Sequence, residues 1–308
     1  MERPTVQQLR YAVAVADERH FGRAARACFI SQPALSTQVR ELESRLGAQL
    51  FERTSRGVLV TAVGEEVLGR ARRILSELDD LCEAAGAGAE LGASLRLGVI
   101  PTLAPYLLPA VVPAVEQAHA GLELYLREDR TDALVDQLLG GDLDLLLLAL
   151  PLDRPGVAEL ALYDEPFLLA VPESHPLATR RRCDLSALAG ERLVLLEEGH
   201  CLRDQALAVC ELAGHDGLVE VQGTSLPTVV QMVGSGLGVT LLPAGAVERD
   251  LGRDERVVVR DLEPEPPTRT VGLAWRSSSA RADAYRRLGG LVTEAVRADG
   301  RSDPPGRR

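Results

Sequence analysis

The sequence predicts a multi-domain α/β chain: an N-terminal winged helix-turn-helix, a linker helix, and a two-lobed α/β body. Three observations lead there. The first 64 residues hold two short amphipathic segments, a third with a polar outer face, and a pair of β-prone runs. Residues 65–85 carry apolar side chains in steps of four and three. From residue 95 onward, short apolar runs alternate with helical patterns.

In the head, Leu9, Ala12, Val13 and Ala16 fall at i, i+3, i+4 and i+7, and Phe21, Ala24, Ala25 and Cys28 repeat that spacing. Helices are expected over 9–20 and 21–28, with the small Ala24–Ala25 pair admitting a close neighbour. Ser31 is a candidate N-cap for a third helix with Pro33 in its first turn. Along 34–46, Leu35, Val39, Leu42 and Leu46 form one stripe, while Ser36, Thr37 and Arg40 are expected to point elsewhere. Such a layout places a reading helix in the major groove, with Gln32, Ser36, Thr37 and Arg40 as candidate base readers beside Pro33. The run QLFERTSRGVLVT reads as a hairpin tipped by Arg53, Arg56 and Gly57, a wing able to hold phosphates or a minor groove. A plain three-helix module with a solvated polar face fits the same pattern.

Next, Val67, Ala71, Ile74, Leu78 and Leu81 form a coiled-coil seam, and a long helix after a wing is expected to pair with its twin. The small residues of AGAGAELGAS, 85–94, mark a hinge. In the body LRLGVI, PYLLPAVVPAVEQA, LELYL, TDALVDQLL and DLLLLAL imply a parallel α/β lobe, and a second set begins near FLLAVP. The strand TRTVGLAW and a helix over 280–298 are expected to rejoin the first lobe. The expected domains are a DNA-binding module over 1–62, a linker helix over 63–91, one lobe from 92–165 plus 268–302, and a second lobe over 166–267. Two crossings between lobes make a hinged cleft, where ligand sites tend to fall.

The charge is uneven. Residues 1–64 hold nine Arg against six acidic residues, a surplus of +3, which leaves −14 of the total −11 on the remainder. No apolar run is long enough to span a bilayer and the start MERPTVQQLR lacks a hydrophobic signal core, so the expected compartment is the cytoplasm. The five Cys, at 28, 82, 183, 201 and 210, are odd in number and irregular in spacing, which argues against a disulfide framework and a structural zinc site. No metal or cofactor is expected.

One stretch, EEGHCLRDQALAVCELAG over 197–214, carries chemistry. Cys201 is placed at a helix start, flanked by His200 and Arg203, where a lowered thiol pKa is expected. Cys210 lies nine positions later on the same predicted helix, about 13.5 Å along the axis, whereas a disulfide needs Cα atoms within about 7 Å. Bond formation would therefore require the helix to unwind. A bland reading stays open: Cys210 as a buried small hydrophobe between Val209 and Leu212, and Cys201 as a chance neighbour of a cap. Cys28, on a buried stripe, Cys82 and Cys183 receive no role. The run Arg180–Arg182 reads as a solvated loop.

From LRYAVAVADERHFGRAARACFISQPALSTQVRELESRLGAQLFERTSRGVLVTAVG, with its S-Q-P-A-L-S core, E-L-E-x-x-L-G stretch and L-F-E-R opening of the wing, the head resembles the LysR family of bacterial regulators. Typical members read L-T at the end of the wing where this chain has Val60–Thr61. The resemblance implies a body similar to periplasmic binding proteins, at least a homodimer, and a lean toward a tetramer. GHCLRDQA followed by Cys210, with VIPTLAPYLLP and TSLPTVVQMVGSGLGVTLLP, resembles the peroxide-sensing OxyR branch of that family. That likeness implies Cys201 as the peroxidatic thiolate, Cys210 as the resolving thiol, Thr102 and Thr131 as pocket threonines, and His200 and Arg269 as polar partners. Arg203 is expected beside them. Asp204 either joins the network or is an ordinary helix-surface carboxylate.

The reading is a redox-responsive transcription regulator rather than an enzyme, with double-stranded DNA, itself, hydrogen peroxide and RNA polymerase as expected partners. A LysR-type regulator with a small-molecule inducer between the lobes is the alternative. A thiol peroxidase is disfavoured by the head.

Overall fold

The computed structural model describes residues 3–54, 57–85, 91–214, 219–250 and 255–298. By its contacts the chain divides into two compact units: Met1–Gly88 with Gln137–Leu143 and Ser279–Arg281, and the remainder.

In the first unit the helices are α1 (Val6–Glu18), α2 (Phe21–Ala27) and α3 (Gln32–Leu46). Local chemistry sets their ends. Thr5 and Gln8 close a reciprocal capping box on α1, and His20 Nδ1 accepts from the Gly22 and Arg23 amides to start α2. Ser31 caps α3 as expected, Pro33 sits in its first turn, and Gly47 ends it in the left-handed region. Ala24 and Ala25 are buried, which lets α1 and α3 close around them. Cys28, the C-cap of α2, is half-buried and packs against the head's core.

The wing is the hairpin β1 (Phe51–Thr54) and β2 (Gly57–Val60), with Phe51 edge-on to Phe21 at 6.2 Å between ring centroids. Then α4 (Ala62–Ala85) runs on, its start fixed by the Thr61 hydroxyl accepting from the Gly64 amide. Its seam divides. Leu68 and Ala71 are buried in the head's core, while Ile74 and Leu81 are 51% and 65% exposed. Half of the small-residue hinge, 86–90, lies outside the described residues.

The elements that follow are β3 (Ser94–Val99), α5 (Ala104–Ala118), β4 (Glu123–Glu128), α6 (Thr131–Gly140), whose residues from Gln137 on count with the first unit, β5 (Leu145–Leu150) and β6 (Val157–Pro172). There follow β7 (Arg182–Asp184), β8 (Leu193–Leu196), α7 (Cys201–Leu212), β9 (Val219–Gly223), α8 (Leu226–Gly234) and β10 (Thr240–Pro243). The last elements among the described residues are α9 (Ala244–Asp250), β11 (Val257–Glu263), β12 (Thr268–Arg276) and α10 (Ala282–Ala298).

The main sheet runs β4-β3-β5-β12-β6-β11-β7, with β10 also on β6. Strands β3, β4 and β5 pair in parallel, as the alternation with helices requires. The expectation of parallel pairing throughout is corrected by β6 and β12, which are antiparallel to each other, and by β10 and β11, both antiparallel to β6. Strand β6 was expected only near FLLAVP, but it begins ten residues earlier, at Val157. It pairs with β12 along Val157–Pro166 and with β10 from Phe167 to Ala170. One strand thus serves two sets of partners, and the residues at its changeover lie where the second set of elements begins.

Candidate functional site

Cys201 is the first residue of α7, with His200 at the N-cap and no side chain capping the helix. Both Cys201 and Cys210 are free thiols on one unbroken helix of 12 residues. Cys210 is fully buried in the second unit's core, and burial pushes its thiol up to about 11. The intact helix therefore separates the two residues by about 13.5 Å of axial rise.

Around Cys201 the structure gathers two residues remote in sequence and one neighbouring amide. The Thr131 hydroxyl at the start of α6, the Arg269 guanidinium from β12 and the Leu202 amide all draw the thiol down. Burial outweighs them and Asp204 adds to it, so the thiol lies above its ordinary value. The expected lowering is thus overturned, because desolvation of a thiolate exceeds the pull of one cation and two weak donors. His200 is buried and held below the usual imidazole range, first by burial and then by Arg130, so it stands neutral at pH 7. Arg130 also donates to the Glu198 carbonyl at 3.0 Å and leaves no room for a Cβ at Gly199, whose φ is +89°.

Arg269 is almost wholly buried. It donates to the Thr102 hydroxyl and carbonyl, each at 3.1 Å, and to Glu165 Oε2 at 2.7 Å. Thr102, Thr131, His200 and Arg269 are therefore brought together at or around Cys201. Arg203 is not. It donates to the Leu196 carbonyl at 3.0 Å and lines a small apolar cavity with Leu202, Ala206, Leu226 and Val229. Asp204 is exposed, and its charge acts on the Cys201 thiol, pushing it up.

Sequence reasoning missed two residues. Glu165 is buried and spans Arg269 and the Gly245 amide; it lies in the stretch of β6 not read as strand. Gln205 sits one turn beyond Cys201, at i+4, and its amide oxygen is buried without a partner among the described residues. That spacing alone could have flagged it. The Thr131 hydroxyl oxygen is also buried with no partner of ordinary hydrogen-bond geometry, so its contact with the sulfur is loose. Thr131 and Gln205 thus each keep an unused acceptor, one at the thiol and one a helical turn from it.

In the head, Gln32, Pro33, Thr37 and Arg40 are exposed on α3. Ser36 departs from expectation: it is 8% exposed, because it faces a recess with Phe21, Val39 and Phe51 instead of the outer surface. Arg40 folds back onto the Ser36 carbonyl and Thr37 hydroxyl at 3.2 and 3.4 Å. The Arg53 side chain and Arg56 lie outside the described residues. No helix among the described residues is long and apolar enough to cross a membrane.

Together these features define a two-module chain, a winged helix-turn-helix and an α/β body with a half-buried thiol at the start of one helix. Residues 6–65 match the family model of bacterial regulatory helix-turn-helix proteins of the lysR family, and residues 88–297 match the LysR substrate binding domain. The chain is 45% identical to the DNA-binding transcriptional dual regulator OxyR of Escherichia coli K12 over 301 residues, covering 97% of each. It is 46% identical to a probable hydrogen peroxide-inducible genes activator of Streptomyces viridosporus, covering 96% of this chain and 95% of the other. Among solved structures, a full-length OxyR variant of Pseudomonas aeruginosa is 37% identical with a TM-score of 0.79, covering 95% of both chains. Oxidised Corynebacterium glutamicum OxyR is also 37% identical, with a TM-score of 0.60 over 96% of this chain and 94% of that one. The chain belongs to the LysR family of transcription regulators, in its OxyR branch.

Proposed function

We propose that this chain is a cytoplasmic transcription regulator that senses hydrogen peroxide, with Cys201 as the reacting thiol and Cys210 as its partner. The observation that carries the reading is the half-buried Cys201 sulfur beside the unsatisfied Thr131 Oγ1 and under the charge of Arg269, with a second unsatisfied oxygen, Gln205 Oε1, one helical turn along α7. The Cys201 thiolate attacks one peroxide oxygen; an S–O bond forms, the O–O bond breaks, and hydroxide leaves to take a proton as water. Thr102, Thr131, Gln205 and Arg269 hold the oxidant and stabilise the leaving oxygen, and neutral His200 borders them. The sulfenic acid then meets the Cys210 thiol, an S–S bond forms and water departs. Because α7 holds the sulfurs apart, this second step unwinds the helix, and the energy of the bond becomes a change of shape.

Domain roles follow: 1–62 binds double-stranded DNA, 63–91 pairs two copies, and lobes 92–165 with 268–302 and 166–267 form the sensor. On α3, Gln32, Pro33, Thr37 and Arg40 face the groove, Ser36 supports them from beneath, and Arg53 and Arg56 serve phosphates. The exposed Ile74 and Leu81 supply a dimer seam, a tetramer is the assembled form, and RNA polymerase is the downstream partner.

In Cys201→Ser, DNA binding is expected to persist while the change in binding on peroxide addition disappears. Mass spectrometry of the oxidised wild-type protein is expected to find a disulfide between residues 201 and 210. Retained peroxide response in the variant, or free thiols at both positions after mild peroxide, would overturn the reading in favour of a small-molecule inducer.

A further inference from the structure

Glu165 and Arg269 are direct partners across the β6–β12 ladder, and their side chains are 7% and 1% exposed. Among the described residues, Glu165 is the carboxylate that pairs with this guanidinium. Its two oxygens are divided: Oε2 accepts from Arg269 at 2.7 Å, and Oε1 accepts from the Gly245 amide at 2.8 Å. The carboxylate is thus pinned from the α9 side while it grips Arg269. On its other edge Arg269 holds Thr102, and its charge reaches Cys201. Gly245 has no space for a side chain, since a Cβ there would lie 2.6 Å from Oε1.

We propose that Glu165 is a positioning residue for the reaction of Cys201, acting by holding Arg269 against Thr102 and the sulfur. This rests on the peroxide reading above. The physical reason is that a buried guanidinium without a counter-charge is strongly unfavourable, and a long flexible side chain relieves it by leaving for solvent. Remove the carboxylate and Arg269 leaves both Thr102 and Cys201. Glutamine is a poor substitute, because both Glu165 oxygens act as acceptors and an amide nitrogen would oppose one donor with another. Aspartate is shorter by one carbon, roughly 1.5 Å, and cannot reach Arg269 and Gly245 together.

The test uses the full-length protein. Peptide-resolved iodoacetamide labelling of Cys201 across pH is compared with the rate at which hydrogen peroxide consumes the same thiol, in wild type, Glu165→Gln, Glu165→Asp and Gly245→Ala. The charged groups acting on this sulfur are Arg269 from β12 and Asp204 on its own helix. Loss of Arg269's pull is expected to move Cys201 ionisation to higher pH and slow its oxidation at neutral pH about ten-fold, with a smaller effect in Gly245→Ala. Unchanged ionisation in folded Glu165→Gln would overturn the proposal, as would a shift to lower pH, which is the signature of a simple negative charge removed. If Glu165→Gln does not fold, Gly245→Ala decides by the same two readouts. Wild-type Cys201 inert to peroxide would sink the sensing reading while the ionisation arm still judges Glu165; reactive wild type with indistinguishable variants would sink the positioning role alone.

Discussion

At Cys201 the balance of burial against local attraction decides how much of the thiol is thiolate at a given pH. Burial wins, so the sulfur stays protonated at neutral pH, and each contact that draws it down governs the reactive fraction. Thr131→Val removes one such contact and the hydroxyl that would meet an oxidant. The sign follows directly: an acid whose ionisation is further delayed has less thiolate at pH 7, by ten-fold for each unit of rise. We expect peroxide oxidation of Cys201 in this variant to be slower by about ten-fold or more at neutral pH. The gap should narrow when the rate is measured well above the thiol's pKa, where both proteins are ionised; a gap independent of pH would assign Thr131 to binding alone. Cys201, Cys210 and His200 were legible because they are neighbours on one short stretch. Glu165 was not, since its meaning lies in what faces it across a sheet. Arg203 was misread as a partner of the thiol because adjacency in the chain does not say to which side of a helix turn a long side chain leads.

Among the elements, α4 illustrates how one periodic pattern serves two surfaces. Its apolar steps continue without a break, yet Ala71 lies in the head's core while Ile74 and Leu81 face outward. Ile74→Asp should leave the head's stability nearly unchanged, because the side chain is already half-exposed, and should shift the protein toward monomer in sedimentation velocity with weaker DNA binding. A dimer of unchanged strength would exclude this seam. Helices α1, α2, α3 and α7 were readable within a few residues because caps and 3.6-residue spacing are local properties. The first half of β6 escaped notice: LALYDEP mixes acids and a proline into the run, and its strand character comes from pairing with β12. Antiparallel pairing of β6, β10, β11 and β12 was equally invisible, since strand direction depends on the route of the chain between them.

For the whole molecule, a head of +3 on a remainder of −14 concentrates attraction for DNA at one end of an acidic chain. Binding is therefore expected to weaken steeply with salt in both the reduced and the oxidised protein, because phosphate contacts belong to the head whatever the thiol state. Oxidation should displace the log–log plot of affinity against salt, on a specific operator, and a change confined to the slope would mean instead that the number of phosphate contacts is what the signal alters. By itself the sequence determined the modules, their order, the polar face of α3 and the pair of sulfurs on one helix, because periodicity, caps and short spacings are written between near neighbours. Only the tertiary structure decided which cation reaches Cys201, which carboxylate holds that cation, and that the thiol is raised rather than lowered. Those outcomes depend on Thr102, Thr131, Glu165 and Arg269 converging from distant strands and loops, and on how much water their packing excludes, quantities that exist only once the chain has closed on itself.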